Sequence, residues 1–423
     1  MKFLPASLLC LILLAIATGS QSAVLTLKEC LQSAETGNPA LKAAAWDSRI
    51  AQENVRLSMA AGYPRIDAQA GYTAQLNAQA VRLGGVTAET QEPDFAFAGV
   101  SLNYTLYDFG RRSARQQQTQ AARAAVSHSY ESRRSSIALQ VIETYFRVAE
   151  SDRRITAARE EVARVDKHRR VAQVLFEEGA VTRNDVLQAD VRLAAARQKL
   201  LTLANLRENQ WLLLNFLTGR PAEARGELDD NATLQPVSTP DKPGTAHARR
   251  HDLQALRHEI RAREFEVAES RESYYPELFT RLGLDYVQND KVREQTLMSA
   301  TVGIRLSIFD GFASSSVRER AVHNLSRSRD TLRNLEAQTD LEIATARNDA
   351  ATAEARIEMA RAAISQSEEN LRITRERYLE RVGTATDVMD AQSLATQAKS
   401  DYHAALYDHQ TALARLLKAS GEL

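Results

Sequence analysis

The 423-residue sequence predicts a mainly helical protein with four short membrane-spanning β-strands per copy, arranged as two matched halves. Three observations predict this fold class. Parts of the chain repeat at a constant offset of 202 residues, and long tracts rich in Ala, Leu, Glu, Arg and Gln lack Gly and Pro. Four further segments alternate apolar with polar residues. We therefore expect long helices joined to strands, in duplicate.

The chain begins with a segment typical of a cleaved secretory signal peptide. Lys2 precedes an apolar run from Leu8 to Ala17, and small or polar residues follow as far as Ala23. The run is shorter than the roughly 20 residues of a membrane-spanning helix. We assign residues 1–23 to the signal peptide and expect the mature protein outside the cytoplasm. Cys30 is then its one cysteine, so no intrachain disulfide is expected.

The four alternating segments predict β-strands with one apolar and one polar face. Each is roughly 10 residues long, the length of a tilted strand that crosses a bilayer. Any half-buried sheet gives the same alternation. An exported chain without an apolar spanning helix nevertheless favours a membrane barrel, because only helices and closed barrels satisfy the backbone in lipid. The apolar faces run from Ile66 to Leu76, Ala96 to Leu106, Leu278 to Tyr286 and Met298 to Ile308.

Four strands cannot close a barrel by themselves. The smallest single-chain barrels have about eight strands, so copies of this chain must share one. Two copies would supply about eight strands and an interior filled by side chains, whereas three would supply about twelve and enclose a lumen. The sequence therefore predicts an oligomer, and a transport role favours three copies.

Each pair of strands leads into a long helix. Asp108 and Asp310 can cap the helices that follow them. Asp185 lies 77 positions after Asp108, and Asp387 lies 77 after Asp310. Since one extra residue would rotate all later side chains by roughly 100°, equal lengths predict helices packed side by side with both tips at one level. The helical tracts are residues 110–178 and 312–381, each spanning roughly 100 Å.

The repeat divides the mature chain into two structural units. The first, residues 24–218, and the second, residues 247–423, each contain a helix, two strands and a long helical hairpin. Residues 219–246 form a linker or equatorial region rich in Pro, Gly and Asp, where no long helix can persist. The Tyr63-Pro64 and Tyr275-Pro276 pairs are offset by 212, so the first unit has a strand connection about ten residues longer.

The tips of the two hairpins share most, but not all, of their residues. Gly383 lies four residues before Asp387, whereas Gly179 lies six before Asp185, so the shape of the second tip does not follow from the first. A second Asp, at position 390, occurs only in the second half. The residues Phe176, Thr182, Asp185 and Val186 return as Tyr378, Thr384, Asp387 and Val388.

This pattern resembles the TolC-type outer-membrane efflux proteins, the outer-membrane factor family, over essentially the whole mature chain. The most specific segments are Asp185-Val186-Leu187-Gln188-Ala189 and Asp387-Val388-Met389-Asp390-Ala391. The resemblance implies a TolC-like α/β-barrel in a homotrimer. Its twelve-stranded β-barrel, four strands from each copy, would lie in the outer-membrane lipid of a Gram-negative cell. Long coiled-coil helices would continue it as a periplasmic tunnel.

The same resemblance implies the function and the partners. The trimer would be the exit duct of a tripartite efflux pump or a type I secretion system. It would work with an inner-membrane RND or ABC transporter and with a periplasmic adaptor, also called a membrane fusion protein, that opens the tips. The exported substrate and the class of pump do not follow from the sequence.

The resemblance also implies roles for the tip residues. Asp387 and Asp390 match the periplasmic constriction, where six carboxylates from three copies would raise some pKa values and attract cations. Asp387 could instead cap the return helix. Nine further residues match the positions at which the family docks the adaptor. Their alternative role is only to build the helical turn. They are Gly179, Val181, Thr182, Asp185, Val186, Gly383, Thr384, Ala385 and Val388.

Other functions have little support in the sequence. The 54 basic residues balance 54 acidic ones, so nucleic-acid binding is not expected. His247, His251 and His258 lie among arginines, which repel a metal, so we expect a solvated helix face and no metal or cofactor. No His-Glu-x-x-His, nucleophile elbow or phosphate loop is present, so no enzymatic activity is expected.

The alternative from another class is a periplasmic coiled-coil adaptor or scaffold without a pore. Adaptors also have helical hairpins, but they have no need for four strands with lipid-compatible faces. A protein that remained soluble without detergent would support this alternative.

Overall fold

The computed structural model describes residues 24–229, 232–234, 243–380 and 382–423. The predicted signal peptide and residues 230, 231 and 235–242 of the predicted linker lie outside this part of the chain. The helices are α1 Leu27–Gly37, α2 Pro39–Ala60, α3 Arg111–Glu177, α4 Arg183–Thr218, α5 Pro243–Arg249, α6 His251–Glu272, α7 Ala313–Leu379 and α8 Ala385–Ser420. The strands are β1 Arg65–Ala74, β2 Ala80–Leu83, β3 Val86–Glu89, β4 Asp94–Tyr107, β5 Glu277–Val287 and β6 Thr296–Arg305.

The four predicted strands form one antiparallel sheet in the order β1-β4-β5-β6. Its register keeps the predicted faces apart. One row across the sheet is Ile66, Leu102, Leu282 and Ala300, and the adjacent row is Asp67, Ser101, Gly283 and Ser299. Within the described residues, β1 and β6 each have one free edge.

A second, two-stranded sheet was not predicted. Strands β2 and β3 form a hairpin in the longer connection of the first half, with Leu83 opposite Val86. The turn consists of Gly84 and Gly85, whose φ angles of 54° and 98° suit the tight hairpin turns that need glycine. The Gly-Gly pair was the signal in the sequence that could have predicted this hairpin.

The helices form a wall whose order matches the order of the strands. Helices α2 and α4 pack on one side of α3, α6 and α8 pack on its other side, and α7 lies beyond them. In the chain, α2 leads into β1, β4 into α3, α6 into β5 and β6 into α7. The place of each strand in the order of the sheet is therefore the same as the place of the connected helix in the order of the wall. Within the ranges described, no helix is apolar over a length that could cross a bilayer.

Both long helices begin three residues after the predicted aspartates, at Arg111 and Ala313. The Asp108 carboxylate accepts hydrogen bonds from the backbone N–H of Arg112, at 2.9 Å, and of Gly110, at 3.3 Å. The Asp310 carboxylate accepts one from the backbone N–H of Ser314 at 2.9 Å. Each aspartate therefore satisfies N–H groups that have no partner within the first turn of the helix, as predicted.

The main apolar core lies where α1 crosses α3 and α4. Trp211, Tyr145 and Phe146 are fully buried there, and the end of α8 adds Ala414. Cys30 belongs to this core, and burial raises the pKa of its thiol to about 12. The cysteine is therefore a small buried apolar group and not a reactive thiol.

The repeated glycines Gly219 and Gly421 end α4 and α8 with φ angles of 69° and 77°. At Gly219 a second constraint applies, because the carbonyl group of Gly37 would lie 2.6 Å from any added Cβ. Only glycine fits both the left-handed backbone and the close approach of α1.

Replacing Gly219 with Ala is therefore expected to lower the free energy of unfolding by about 3 kcal/mol, through backbone strain and the contact with Gly37. The measurement is urea unfolding in detergent micelles followed by circular dichroism. Gly226→Ala is the matched control, since a Cβ added at Gly226 would have no atom within 4 Å and its φ is not positive. Equal stability of the two variants would contradict the close-approach argument.

Candidate functional site

The first tip joins α3 to α4 through a glycine turn and a capping box. Gly179 has a φ of 72°, and the backbone N–H of Ala180 donates to the carbonyl oxygen of Leu175 at 2.7 Å. The Asp185 carboxylate then accepts hydrogen bonds from the backbone N–H and from the hydroxyl of Thr182, each at 2.8 Å. These contacts satisfy backbone groups at both helix ends.

The second tip repeats these contacts at the same offset. The N–H of Val382 donates to the carbonyl oxygen of Arg377 at 2.9 Å. The Asp387 carboxylate accepts a hydrogen bond from the N–H of Thr384 at 2.9 Å, and the N–H of Asp387 donates to the Thr384 hydroxyl at 3.2 Å. Gly383 is the counterpart of Val181, and not of Gly179, at the offset of 202 residues. The glycines of the two tips therefore differ in position, but the two capping boxes still match.

Asp387 is thus the third residue of a capping box, as the alternative interpretation predicted. Hydrogen bonds from Thr384 lower the pKa of Asp387, the backbone N–H being the main cause. This direction is opposite to the rise expected from like charges in a ring of three copies, which a single chain does not contain. A residue that caps a helix can still face a pore, so the two roles are compatible.

Asp390 has a cationic partner that was not predicted. The Arg192 guanidinium lies 2.9 Å from its carboxylate and joins α4 of the first half to α8 of the second. Thr386 and Gln188 lie 3.4 Å apart, oxygen to oxygen, beside this pair. No local sequence signal indicates the pair, because its members are 198 positions apart.

The candidate docking residues divide into buried and exposed groups. Val186, Ala385 and Val388 are buried, so in the single chain they help to build the tip. Gly179, Thr182 and Thr384 are exposed. Val181, Asp185 and Gly383 are half-buried. The outer surface of each tip is therefore formed by its turn and by the capping threonine.

The three histidines do not share a solvated helix face, contrary to the prediction. All three are half-buried, and His247 instead lies 2.8 Å from Asp340. His251 and His258 stack on His128 of α3, at ring-centroid distances of 5.6 and 5.2 Å. Burial, followed by the charges of these two neighbours, lowers the pKa of His128. Among the residues described, no group of three or more His, Cys, Asp or Glu could hold a metal ion.

A wall of long paired helices joined to a four-stranded antiparallel sheet is an architecture of channel proteins. The sequence matches the family model described as "Outer membrane efflux protein" over residues 30–220 and 243–422. The chain belongs to the outer membrane efflux protein family.

Individual relatives agree with this assignment. The "Alkaline protease secretion protein AprF" of Pseudomonas aeruginosa is 23% identical over 344 residues, which cover 79% of this chain and 71% of the relative. The Campylobacter jejuni CmeC outer membrane channel matches with a TM-score of 0.85 and 18% identity, covering 94% of this chain and 85% of that one. The outer membrane protein VceC of Vibrio cholerae matches with a TM-score of 0.82 and 19% identity, covering 93% and 96%.

The family consists of channels and not of enzymes. The TolC-like fold class is confirmed, and so is the role of an exit duct in a tripartite pump or a secretion system. Proteins of this family function with periplasmic adaptors and inner-membrane transporters. The alternative of an adaptor without a pore does not agree with the family assignment.

Proposed function

We propose that three copies of this chain assemble into one continuous duct. The observation that carries this proposal is the shared order of the strands and the helices. Within the part of the chain that the structure describes, the sheet has free edges at β1 and β6. In the same part, no further helix covers the side of the wall formed by α2 and α4 or the opposite side formed by α7. Pairing β6 of one copy with β1 of the next would close both layers together.

The helices at these two sides carry exposed apolar side chains, which supports the assembly. Leu341 and Met359 of α7 are 66% and 69% exposed, and Leu201 of α4 is 72% exposed. Apolar side chains of this size gain free energy when a neighbouring copy covers them. With four strands per copy, three copies would form a barrel of twelve strands, which is wide enough to enclose a lumen.

Assembly is tested by the native mass of the full chain extracted in detergent, together with conductance in planar bilayers. A trimer with stable open-channel currents is expected. A monomer without conductance would overturn the proposal, as would extraction of the protein without detergent.

We assign the duct to the outer membrane of a Gram-negative cell, with its helices in the periplasm. Residues 1–23 would be removed on export, and residues 219–246 would form an equatorial region between the structural repeats of residues 24–218 and 247–423. The energy for transport would come from an RND or ABC transporter in the inner membrane. The adaptor would dock on the exposed parts of both tips and separate them, which would open the duct.

At the constriction, Asp387 and Asp390 are proposed to form the cation-attracting rings. Replacing both with Asn is expected to reduce the preference for cations over anions in planar-bilayer conductance, because up to six negative charges leave the axis. Arg192 offsets the charge of Asp390, so Arg192→Gln is expected to shift the selectivity in the opposite direction, toward cations.

The first-half residue Asp185 provides a matched control for this test. Asp185→Asn disturbs a capping box equivalent to that of Asp387, but it removes no charge from the proposed rings. Its selectivity should remain that of the wild type. Unchanged selectivity in the Asp387→Asn, Asp390→Asn double variant would contradict the assignment of these two residues to the constriction. It would not contradict the proposal that the trimer forms a duct.

A further inference from the structure

A small pocket between α3, α7 and α8 lies close to the tips and has a volume of about 250 Å³. Its polar lining combines three cationic side chains with three neutral hydrogen-bonding groups. Among the described residues that line it there is no carboxylate. The pocket therefore has an excess of positive charge. The polar lining residues are Arg164, Lys167, His168, Arg375, Tyr378 and Gln392.

The neutral groups in this pocket lack the partners that buried polar atoms normally have. The Tyr378 hydroxyl, Nε2 of His168 and Nε2 of Gln392 are buried and make no hydrogen bond within the described chain. Gln392 as a whole is only 8% exposed. Buried polar groups are rarely left unsatisfied in folded proteins. All three atoms can donate a hydrogen bond, so a single group with several acceptor atoms would satisfy them together.

The cations of the pocket are also largely unpaired. Lys167 and Arg375 form no ion pair with any residue in the described ranges. Arg164 contacts Glu160 at 3.2 Å and the Thr396 hydroxyl at 3.1 Å. The side chains of Lys167 and Arg375 are both exposed, so water solvates their charges until an anion enters the pocket.

The acid that acts electrostatically on the pocket is Asp185. Burial, and then the charge of Asp185, raises the pKa of Tyr378, so the phenol keeps its proton and can donate it. Burial lowers the pKa of His168, which favours the neutral ring. The Asp185 carboxylate already accepts two hydrogen bonds from Thr182. No hydrogen bond joins it to the Tyr378 hydroxyl or to Nε2 of His168 within the described chain, so the acceptor for these two groups is still missing.

Arg164, Lys167 and His168 come from the first half of the chain, and the other three polar lining residues come from the second. The repeat shows what the first half has at the positions of these second-half residues. At an offset of 202 residues, Phe176 stands in register with Tyr378, and Gln173 with Arg375. Asp190 stands in register with Gln392, and it pairs with Arg169 at 2.9 Å. These three first-half residues supply neither a free donor nor a cation, so the hairpin architecture does not require Arg375, Tyr378 or Gln392 at their positions.

We propose that this pocket binds an oxyanion, supplied either as a free phosphate-like ion or as a Glu or Asp carboxylate of a partner docked at the tip. The second source rests on the proposed docking of an adaptor, whereas anion binding as such does not. A carboxylate or phosphate would accept hydrogen bonds from Tyr378 and Gln392 while Lys167 and Arg375 neutralise its charge. The volume is sufficient for a group of this size.

The test is calorimetric titration of inorganic phosphate into the full chain in detergent micelles at constant ionic strength. Wild type should bind phosphate, and the Lys167→Gln, Arg375→Gln double variant should bind it at least about tenfold more weakly, as expected for lost charge-assisted hydrogen bonds. Tyr378→Phe, which removes one hydroxyl, should weaken binding by a smaller factor. Melting temperatures close to that of wild type would show that the variants are folded.

Arg372→Gln is the matched control, since Arg372 lies one turn before Arg375 but pairs with Glu369 and Glu376 at 2.7 Å and does not line the pocket. It should keep the wild-type affinity. No phosphate binding to wild type, or equal losses in Arg372→Gln and the double variant, would overturn the proposal.

A second arm of the experiment distinguishes the two sources of the anion. A capped tripeptide with a central Glu is titrated against its Gln counterpart. Binding of the Glu peptide in competition with phosphate supports a side-chain carboxylate of a docked partner, and binding of phosphate alone supports a free ion. Neither measurement depends on transport, so the failure of the pocket leaves the duct proposal intact.

Discussion

Replacing Arg250 with Met is expected to lower the free energy of unfolding by about 2–3 kcal/mol. This is less than the cost of breaking a fully buried ion pair, because the Arg250 side chain is buried but those of Asp252 and Glu342 are 27% and 38% exposed. Arg250 is only 6% exposed, and it joins the start of α6 to α7. Its guanidinium lies 2.5 Å from Asp252 and 2.5 Å from Glu342. Without it, two carboxylates would remain close together without a counter-charge.

The pH dependence of stability gives a second measurement of the same network. Burial raises the pKa of Asp252, but the hydrogen bonds and charge of Arg250 outweigh it and hold that pKa below its ordinary value. A carboxyl whose pKa is depressed on folding stabilises the protein above its ordinary pKa of about 4, and this contribution is lost as the pH falls through the folded value. Arg250→Met should remove this dependence.

Arg257→Met is the matched control for Arg250→Met. Arg257 lies in α6, two turns beyond Arg250, and pairs with Glu336 of the same neighbour, α7, at 3.0 Å, but both side chains are about a third exposed. Such a pair contributes at most about 1 kcal/mol. Urea unfolding of each variant in detergent micelles, followed by circular dichroism at several pH values, measures both effects. Similar losses for the two arginines would contradict the role given to burial.

The sequence predicted those features that depend on local physical rules. The alternation from Met298 to Arg305 places its residues on two faces of β6, and the capping aspartates Asp108 and Asp310 act within a single helical turn. Such signals lie within a few residues of one another. The length of a helix and the period of a strand can therefore be read without knowledge of the packing. Strand β6 ends three residues before the predicted Ile308, since boundaries are less well determined than periods.

The features that the sequence did not predict are contacts between distant parts of the chain. Arg192 and Asp390 are 198 positions apart, and Arg250 and Glu342 are 92 apart. Arginine is common on every long helix here, so neither its identity nor its spacing indicates which arginine meets an acid. The stacking of His128 on His258 was missed for the same reason, because it joins α3 to α6. Such contacts become visible only when the order of the helices in the wall is known.

The equal lengths of the two halves lead to a second prediction with a large effect. Inserting one Ala between Arg159 and Glu160 of α3 is expected to prevent recovery of folded protein. The insertion rotates all later residues of α3 by roughly 100°, which moves the buried Val165 and Ala172 out of the interface with the neighbouring helices. The measurement is the yield of folded chain in detergent, detected by near-ultraviolet circular dichroism.

An insertion of seven residues separates the effect of helix rotation from that of helix length. Seven residues are close to two full turns, so the later side chains return to within about 20° of their original faces while α3 grows by roughly 10 Å. Alone, this insertion shifts Glu161 away from Lys199 of α4, which it contacts at 3.0 Å. A second insertion of seven residues between Thr202 and Leu203 of α4 lengthens both arms of the hairpin at the same level.

The doubly lengthened protein is therefore expected to fold, whereas the protein with one added residue is not. Its first tip would then extend roughly 10 Å beyond the second, so the contact between Arg192 and Asp390 would be lost. One Ala inserted between Gly84 and Gly85, where added side chains meet no other atoms, serves as the control and should leave the folded yield unchanged. If the single insertion in α3 also left the yield unchanged, side-by-side packing would not explain why 77 residues separate the landmarks in both halves.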